Sequence, residues 1–148
     1  MRPSWEQIFV QITELIAKRS TCIRLQVGAV LVRDNRIISM GYNGVTSGHE
    51  HCNEIFKNET VNSEEFKKKH AEFSKNEIHA ESNAIAFSAK EGQSTNDCDL
   101  YVTHAPCIDC AKLIVQSGIK NVYYINEYDR NSFGIDFLED SNINCIKI

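Results

Sequence analysis

A strand–helix–strand pattern in the second half of the chain constrains the fold most strongly. The segment "DLYVTHA" (99–105) predicts a strand, "CIDCAKLIVQSG" (107–118) a helix that ends at Gly118, and "NVYYI" (121–125) a further strand. Two strands joined through a helix lie parallel in one sheet, with a right-handed crossover. We therefore expect an α/β fold with at least one parallel strand pair.

Other apolar patterns add elements around this unit. Ser4 and Gln7 have the form of a capping box, and apolar residues follow at helical spacing to about Arg19. The segment "VGAVLVRDNRIISMGYNG" (27–44) predicts an antiparallel hairpin that turns at Asp34 and Asn35. A helix from near His79, a short helix in "FGIDFLED" and an edge strand in "NINCIKI" complete the prediction. The expected stripe of the first helix is Trp5, Ile8, Phe9, Ile12, Leu15 and Ile16.

Composition limits the class of protein. A chain of 148 residues that is 42% hydrophobic can build one domain with its own core. The net charge of -4 argues against binding nucleic acid through its phosphates. Acidic residues interrupt the apolar pattern of the N-terminus, which is typical of neither a secretory signal nor a membrane span, so we expect a cytoplasmic protein. In that compartment the 6 cysteines are metal ligands or buried thiols.

The stretch 45–76 lacks an apolar pattern and contains the charged run "EEFKKKH". We expect a polar surface insertion without a core of its own. Its lysines 67–69 could meet an anionic ligand, but a solvated helical face is the favoured interpretation.

The segment "APCIDC" (105–110) predicts a metal-binding pair. Pro106 suits the first position of a helix, which would place Cys107 and Cys110 in the first turn with both sulfurs on one side. A helix N-terminus favours the thiolate, the form that binds zinc. A C-x-x-C pair alone also fits a thioredoxin-like redox pair or two buried thiols.

A second segment, "IHAES" (78–82), supports the metal interpretation. On a regular helix His79 and Glu81 would point about 200° apart, so they can share a site only beyond the helix end. Two helices that present their N-termini to one point would supply His79, Cys107 and Cys110 as zinc ligands and leave a fourth position for water, as in catalytic sites. This combination is the signature of zinc-dependent nucleobase deaminases.

The chemistry expected of such a site follows from its charges. Zinc lowers the pKa of a bound water from about 15.7 to about 7. Glu81, which is not a ligand in this interpretation, would move a proton from the water to a ring nitrogen and help the amine leave as ammonia. The N–H of Ala80 in the first turn would bind a carbonyl oxygen of the base.

The segments "HAESNAI", "APCIDCAKLIVQSGIK" and "VGAVLVRDNRIISMGYNG" resemble the deoxycytidylate deaminases, especially the phage-type members, over essentially the whole chain. The resemblance implies hydrolysis of dCMP to dUMP and a three-layer α/β/α sandwich with a mixed five-stranded sheet. The roles it implies are zinc ligation by His79, Cys107 and Cys110, proton transfer by Glu81, contact of Asn43 with the deoxyribose, and a base-pocket wall formed by Tyr128.

The same resemblance implies regulation and assembly. Activation by dCTP and inhibition by dTTP would involve the "GYNG" loop with Gly41, Tyr42 and Gly44, and magnesium would accompany the triphosphate. Hexamers are expected, with neither nucleic acid nor membrane as a partner. His104 in "THAPC" departs from the family pattern, in which a small or apolar residue is more usual, and this puts the fine shape of the pocket in doubt.

A second, structural zinc site is predicted from the hairpin. Cys22 precedes its first strand and Cys52 follows its second, and an antiparallel pair brings these ends together. The insertion returns through "HAEFSKNEIH", which carries His70 and Glu77. These four residues would fasten the insertion through zinc. The arrangement resembles that of the phage-type members. The alternative is that Cys22 and Cys52 are buried thiols and that His70 and Glu77 are surface polar residues. His49 or His51 could also replace His70 as the zinc ligand. Cys98 and Cys145 are expected to be packed thiols.

Three other functions compete. A tRNA adenosine deaminase should show a basic face and little insertion before "HAE", whereas this chain is acidic and has a long one. A deaminase of free cytidine or of a riboflavin precursor is a closer alternative, and what separates it is a phosphate-binding group, for which Arg24 and Arg130 are candidates here. A non-catalytic zinc module would explain the ligands but not Glu81.

Overall fold

A mixed five-stranded sheet forms the centre of the computed structural model, which describes residues 1–148. The strand order is β2-β1-β5-β6-β7, and a two-stranded ribbon of β3 and β4 lies beside it. The helices are α1 (Trp5–Ala17), α2 (Cys52–Ile55), α3 (Glu64–Phe73), α4 (Ala80–Lys90), α5 (Ile108–Gln116) and α6 (Phe133–Asp140). The strands are β1 (Gly28–Arg33), β2 (Arg36–Tyr42), β3 (Gly44–Val45), β4 (Glu77–Ile78), β5 (Asp99–His104), β6 (Asn121–Asn126) and β7 (Asn144–Lys147).

The hairpin and the crossover predicted from the sequence are both confirmed. Strand β1 pairs antiparallel with β2, and the turn residues Asp34 and Asn35 have φ values of 52° and 57°, as a two-residue type I′ turn requires. Strands β5, β6 and β7 run parallel, while β1 is antiparallel to β5. The sheet is therefore mixed, and β2 and β7 form its edges.

Helix α1 covers one face of the sheet with most of the predicted stripe, since Phe9 is buried and Ile8, Ile12 and Ile16 pack against the same cluster. Its capping box at Ser4 and Gln7 is present. The buried residues are Phe9, Thr13 and Ala17, whereas Leu15 is 61% exposed and its assignment to the packed stripe was wrong. Thr13 and Ala17 lie at the close approach, where the helix backbone rests directly on Gly28 of β1.

Helices α4, α5 and α6 cover the other face, which completes the expected α/β/α sandwich. The main core lies between these helices and strands β1, β5 and β6, and its largest fully buried side chains include Leu31, Leu100, Ile114 and Leu138. A Cβ on Gly41 of β2 would lie 2.6 Å from the carbonyl oxygen of Ala80, so α4 packs against bare backbone there. This contact sets the height of the first turn of α4 above the sheet.

The insertion has a small core, so the expectation that it has none was wrong. Phe56, Phe66 and Phe73 pack edge to face, and Phe56 and Phe66 are buried together with Cys22 and Cys52. Three phenylalanines build this cluster: Phe56 is the C-cap of α2, and Phe66 and Phe73 lie in α3. Because these residues are widely spaced in a polar stretch, they form no periodic apolar pattern that would have predicted a core. The lysines 67–69 are exposed, as a solvated helical face predicts.

Helix α5 begins later than the sequence suggested. Its first residue is Ile108, and Cys107 is the N-cap with extended backbone (φ -71°, ψ 170°). Pro106 therefore precedes the cap and does not occupy the first helical position. None of the helices combines the length and the apolar character that crossing a membrane requires.

The contact between Gly41 and α4 predicts a large cost for a single methyl group. In Gly41→Ala the new Cβ meets backbone atoms of Ala80 and Ala84 at 2.6 Å, so we expect a loss of about 1–3 kcal/mol in the free energy of unfolding. The exposed neighbour Met40 serves as control, and Met40→Ala should change it by less than about 0.5 kcal/mol. Urea denaturation measures both, and equal midpoints for the two variants would contradict the packing argument.

Candidate active site

The N-termini of α4 and α5 meet and bring one imidazole and two thiols together. His79 is the N-cap of α4 and Cys107 is the N-cap of α5, each in extended conformation. The Nδ1 atom of His79 lies 3.5 Å from Sγ of Cys107 and 3.3 Å from Sγ of Cys110. All three donor atoms lie within 4.8 Å of one another, which is compatible with one shared metal ion.

The protonation of this cluster suits a cation. A hydrogen bond from the Cys110 thiol lowers the pKa of Cys107 to about 4, and sharing that proton raises the pKa of Cys110. The Cys107 sulfur in turn raises the pKa of His79. These shifts favour a protonated His79 ring and a protonated Cys110 thiol beside the anionic sulfur of Cys107. One imidazole nitrogen and two thiolates form a donor set typical of zinc.

Glu81 lies behind this cluster in the first turn of α4. Its side chain is 5% exposed, and burial raises the pKa of its carboxyl group, while the nearby imidazole of His79 partly opposes the shift. Since His79 is the cap and not part of the regular helix, the two side chains reach the same pocket in spite of their spacing. A carboxyl group with a raised pKa in a cleft is suited to accept and return a proton.

A second cluster joins the insertion to the main fold. The donor atoms of Cys22, Cys52 and His70 lie within 4.8 Å of one another, and all three residues are buried. The Oε1 atom of Glu77 lies 3.8 Å from Nε2 of His70. The structure thus brings together the four residues that the sequence suggested for a second metal.

The fit of this second cluster to a metal rests on an unsatisfied atom. The Oε2 atom of Glu77 is buried and has no hydrogen-bond partner. Burial also raises the pKa of Glu77, raises that of Cys52 to about 12 and lowers that of His70. Each of these pKa shifts favours the neutral form of its side chain: the protonated carboxyl group of Glu77, the protonated thiol of Cys52 and the unprotonated ring of His70. A divalent cation would reverse this balance and give the stranded oxygen a partner.

The other candidate ligands lie elsewhere. His51 caps α2, where its backbone N–H donates to Glu54 at 2.9 Å, and His49 is exposed. His70 is therefore the histidine at the second cluster. Cys98 is fully buried in the main core and Cys145 packs against it, as expected for packed thiols.

One pocket of about 210 Å³ connects the two clusters. Glu81, Ala80, Asn43 and Tyr128 line it, so it contains every residue that the resemblance connects with substrate. The lining also includes His104 and three exposed charged residues, Arg24, Asp129 and Arg130. Gly41, Tyr42 and Gly44 do not line this pocket.

Asn43 holds the wall of the pocket through its side chain. Its Oδ1 accepts from the N–H of Val27 at 2.8 Å, and its Nδ2 donates to the carbonyl of Leu25 at 2.9 Å. The amide therefore shapes the loop that leads from Cys22 into β1, and one Nδ2 hydrogen remains for another partner. Gly41 likewise has a packing contact with α4.

Sequence reasoning missed Leu25, Val27 and Asp129 as pocket residues. Leu25 and Val27 lie in a loop without a motif, and they reach the pocket because Asn43 folds that loop back. Asp129 follows Tyr128 directly, so proximity to a proposed wall residue was the one available signal.

The fold and the two helix caps define a class of protein, the zinc-dependent hydrolytic deaminases. A family model described as the cytidine and deoxycytidylate deaminase zinc-binding region matches residues 3–126. The chain belongs to this family.

Individual relatives agree with that assignment. The chain is 41% identical over 142 residues to ComE operon protein 2 of Bacillus subtilis, covering 96% of the chain and 70% of that relative. It is 39% identical over 155 residues to the deoxycytidylate deaminase of Enterobacteria phage T2, covering 86% and 82%. The dCMP deaminase of cyanophage S-TIM5 in complex with dCMP and dUMP is similar in structure, with a TM-score of 0.81, 35% identity and coverage of 100% and 99%.

The two clusters predict two separable metal ions. Cys110→Ala removes a donor from the first cluster and Cys52→Ala removes one from the second, so each variant should retain one zinc where the parent retains two. Cys145→Ala is the control, because this thiol lies in neither cluster and should leave both ions. Zinc per chain is measured by atomic emission after dialysis. A parent protein that keeps one zinc, or none, would contradict one cluster or both.

Proposed function

We propose that the protein deaminates dCMP to dUMP and ammonia with a water molecule activated by zinc. One observation carries the proposal: the buried Glu81 carboxyl group lies beside a donor cluster formed by two helix caps, in a pocket large enough for part of a nucleotide. The phage T2 relative is a deoxycytidylate deaminase, and the S-TIM5 structure contains dCMP and dUMP. These similarities support a deoxynucleotide as the substrate.

The metal would be held by Nδ1 of His79 and by the sulfurs of Cys107 and Cys110. A zinc ion held there would lower the pKa of a bound water molecule, so that the water can lose a proton at neutral pH and act as the nucleophile. Glu81 takes a proton from this water and transfers it to the ring nitrogen next to the reacting carbon. It then helps to transfer the second proton to the exocyclic amine, which leaves as ammonia while the ring carbon keeps the oxygen. Water and dCMP thus balance dUMP and ammonia.

The burial of Glu81 supports both of its roles. A carboxyl group with an ordinary pKa would hold a proton too weakly to deliver it to a ring nitrogen at neutral pH. Desolvation raises the pKa of Glu81, so the proton stays on the carboxyl group between the two transfers. The buried position also excludes bulk water from the reacting carbon.

The remaining contacts to substrate follow from the lining of the pocket. The N–H of Ala80, in the first turn of α4, is placed for the carbonyl oxygen of the base. Tyr128 would form a wall for the ring, and the free Nδ2 hydrogen of Asn43 would reach the deoxyribose. Arg24 and Arg130 would supply positive charge for the phosphate.

The second cluster would hold a structural zinc between Cys22, Cys52, His70 and Glu77. The unsatisfied oxygen of Glu77 and the buried thiols support this assignment. Such an ion joins the loop that carries Arg24 to β4, which leads directly into His79. The 1–148 chain would thus be one deaminase domain whose insertion at about 45–76 is fastened by metal to the wall of the substrate pocket.

The wider setting is proposed from the family resemblance. A cytoplasmic enzyme that forms dUMP feeds thymidine nucleotide synthesis, and end products of that route would regulate it, with dCTP as activator and dTTP as inhibitor. The triphosphates would bind with magnesium near Gly41, Tyr42 and Gly44, in a hexamer. The packing of Gly41 under α4 supports a connection from this loop to the first turn of the catalytic helix.

Replacing Glu81 by Gln separates metal binding from catalysis. Because Glu81 is not a metal ligand in this proposal, Glu81→Gln should keep zinc while ammonia release falls by at least about 10²-fold to 10⁴-fold. Glu91→Gln, at the exposed end of the same helix, is the matched control and should retain full activity. Unchanged turnover in Glu81→Gln would disprove the assigned role.

A substrate panel tests the choice of nucleotide. Ammonia release is measured with dCMP, CMP, deoxycytidine and cytidine, each with and without dCTP or dTTP and magnesium. We expect the highest kcat/KM with dCMP, an increase with dCTP and a decrease with dTTP. Turnover of cytidine at the rate of dCMP would instead favour a nucleoside deaminase, and indifference to both triphosphates would remove the regulatory proposal.

A further inference from the structure

His104 is a pocket residue to which the chemistry described above assigns no role. It lies at the carboxyl end of β5, three residues before Cys107, and it is half-buried in the pocket wall. Neither its size nor its polarity matches the apolar residue expected at this position. A polar side chain in the wall of a pocket needs a hydrogen-bond partner. The hydrogen bonds around His104 show whether that partner must be a donor or an acceptor.

The hydroxyl group of Thr103 determines the tautomer of His104. Oγ1 of Thr103 accepts a hydrogen bond from the backbone N–H of Gly28 at 3.1 Å. Its other partner is Nδ1 of His104 at 3.0 Å. Thr103 is buried, so its hydroxyl hydrogen needs an acceptor, and Nδ1 is the one within reach. Nδ1 therefore accepts, and the neutral ring carries its hydrogen on Nε2.

The surroundings agree with a neutral ring. Burial lowers the pKa of His104, and the carboxylate of Asp129 opposes this only in part. Nε2 has no hydrogen-bond partner within the protein. The ring thus presents a single N–H donor, held in orientation by Thr103, at the wall of the pocket.

The neighbouring residues indicate what this donor meets. Arg24 and Arg130 line the same pocket, and the exposed Asp129 offers an acceptor for a hydroxyl group. A donor that cannot accept requires an acceptor atom on the ligand. In the proposed function the base carbonyl would accept from the N–H of Ala80, which leaves the phosphate oxygens as the strongest acceptors of a nucleotide.

We propose that His104 is a specificity-determining residue that donates its Nε2 hydrogen to the phosphate of the nucleotide. The inference rests on the proposed function and extends it, because it names a neutral donor that selects the nucleotide over the nucleoside. Thr103 is the positioning residue that keeps the hydrogen on Nε2. The phosphate is therefore recognised by geometry as well as by the charge of the two arginines.

Two variants of His104 test the donor. His104→Leu removes the N–H, whereas His104→Gln keeps an N–H donor at the end of the side chain. Competitive inhibition of dCMP turnover by dUMP and by deoxyuridine is measured for the zinc-loaded enzymes. We expect the preference for dUMP over deoxyuridine to fall about 10-fold to 100-fold in His104→Leu and less than about 3-fold in His104→Gln. Equal weakening of both inhibitors in His104→Leu would overturn the proposal.

A spectroscopic measurement keeps the test independent of turnover. In long-range ¹H–¹⁵N spectra of the zinc-loaded protein, His104 should show the neutral Nε2–H tautomer. Its Nε2 resonance should shift on addition of dUMP but not of deoxyuridine. An Nδ1–H tautomer, or the same shift with both compounds, would refute the assignment. If the parent enzyme does not deaminate dCMP, the proposed function fails on its own, since these spectra need no catalysis.

Discussion

The convergence of two helix N-termini is the constraint on which the active site depends. His79 and Cys107 are both cap residues, so their side chains extend beyond the helices into the space between them. Hydrogen bonds from the Cys110 thiol, from the His79 ring and from the backbone N–H of Cys110 lower the pKa of Cys107 and favour its anionic sulfur. A metal bound there completes an arrangement that the backbone has already prepared.

The rest of the structure holds those two caps at the right separation. Helix α5 follows β5 directly, and α4 rests on the bare backbone of Gly41 in β2, so both helices are fixed to the same sheet. The ribbon of β3 and β4 leads from Glu77 through Ile78 to His79. Glu77 of the second cluster therefore lies only two residues before His79 of the first. The packing of the insertion is linked in this way to the position of the His79 imidazole.

Charge and burial divide the pocket into two functional halves. The inner half contains a buried carboxyl group and thiols whose protonation depends on a cation. The outer half contains exposed Arg24, Asp129 and Arg130, which suit a solvated sugar phosphate. His104 is half-buried and is positioned by the buried hydroxyl group of Thr103. This division suits a site that combines the proposed proton transfer with the proposed nucleotide selection.

The sequence by itself determined the order of the elements, the turn at Asp34 and Asn35, the donors of the first cluster and the two cysteines of the second, because propensities, turn chemistry and ligand spacing act over a few residues. Only the tertiary structure decided that His70 and neither His49 nor His51 joins the cysteines, that Leu15 faces outward, and that three phenylalanines give the insertion a core. It also decided the tautomer of His104, which depends on Gly28, a residue 75 positions away from Thr103 in the chain. Contacts of this kind depend on how distant segments pack, and no local pattern encodes them.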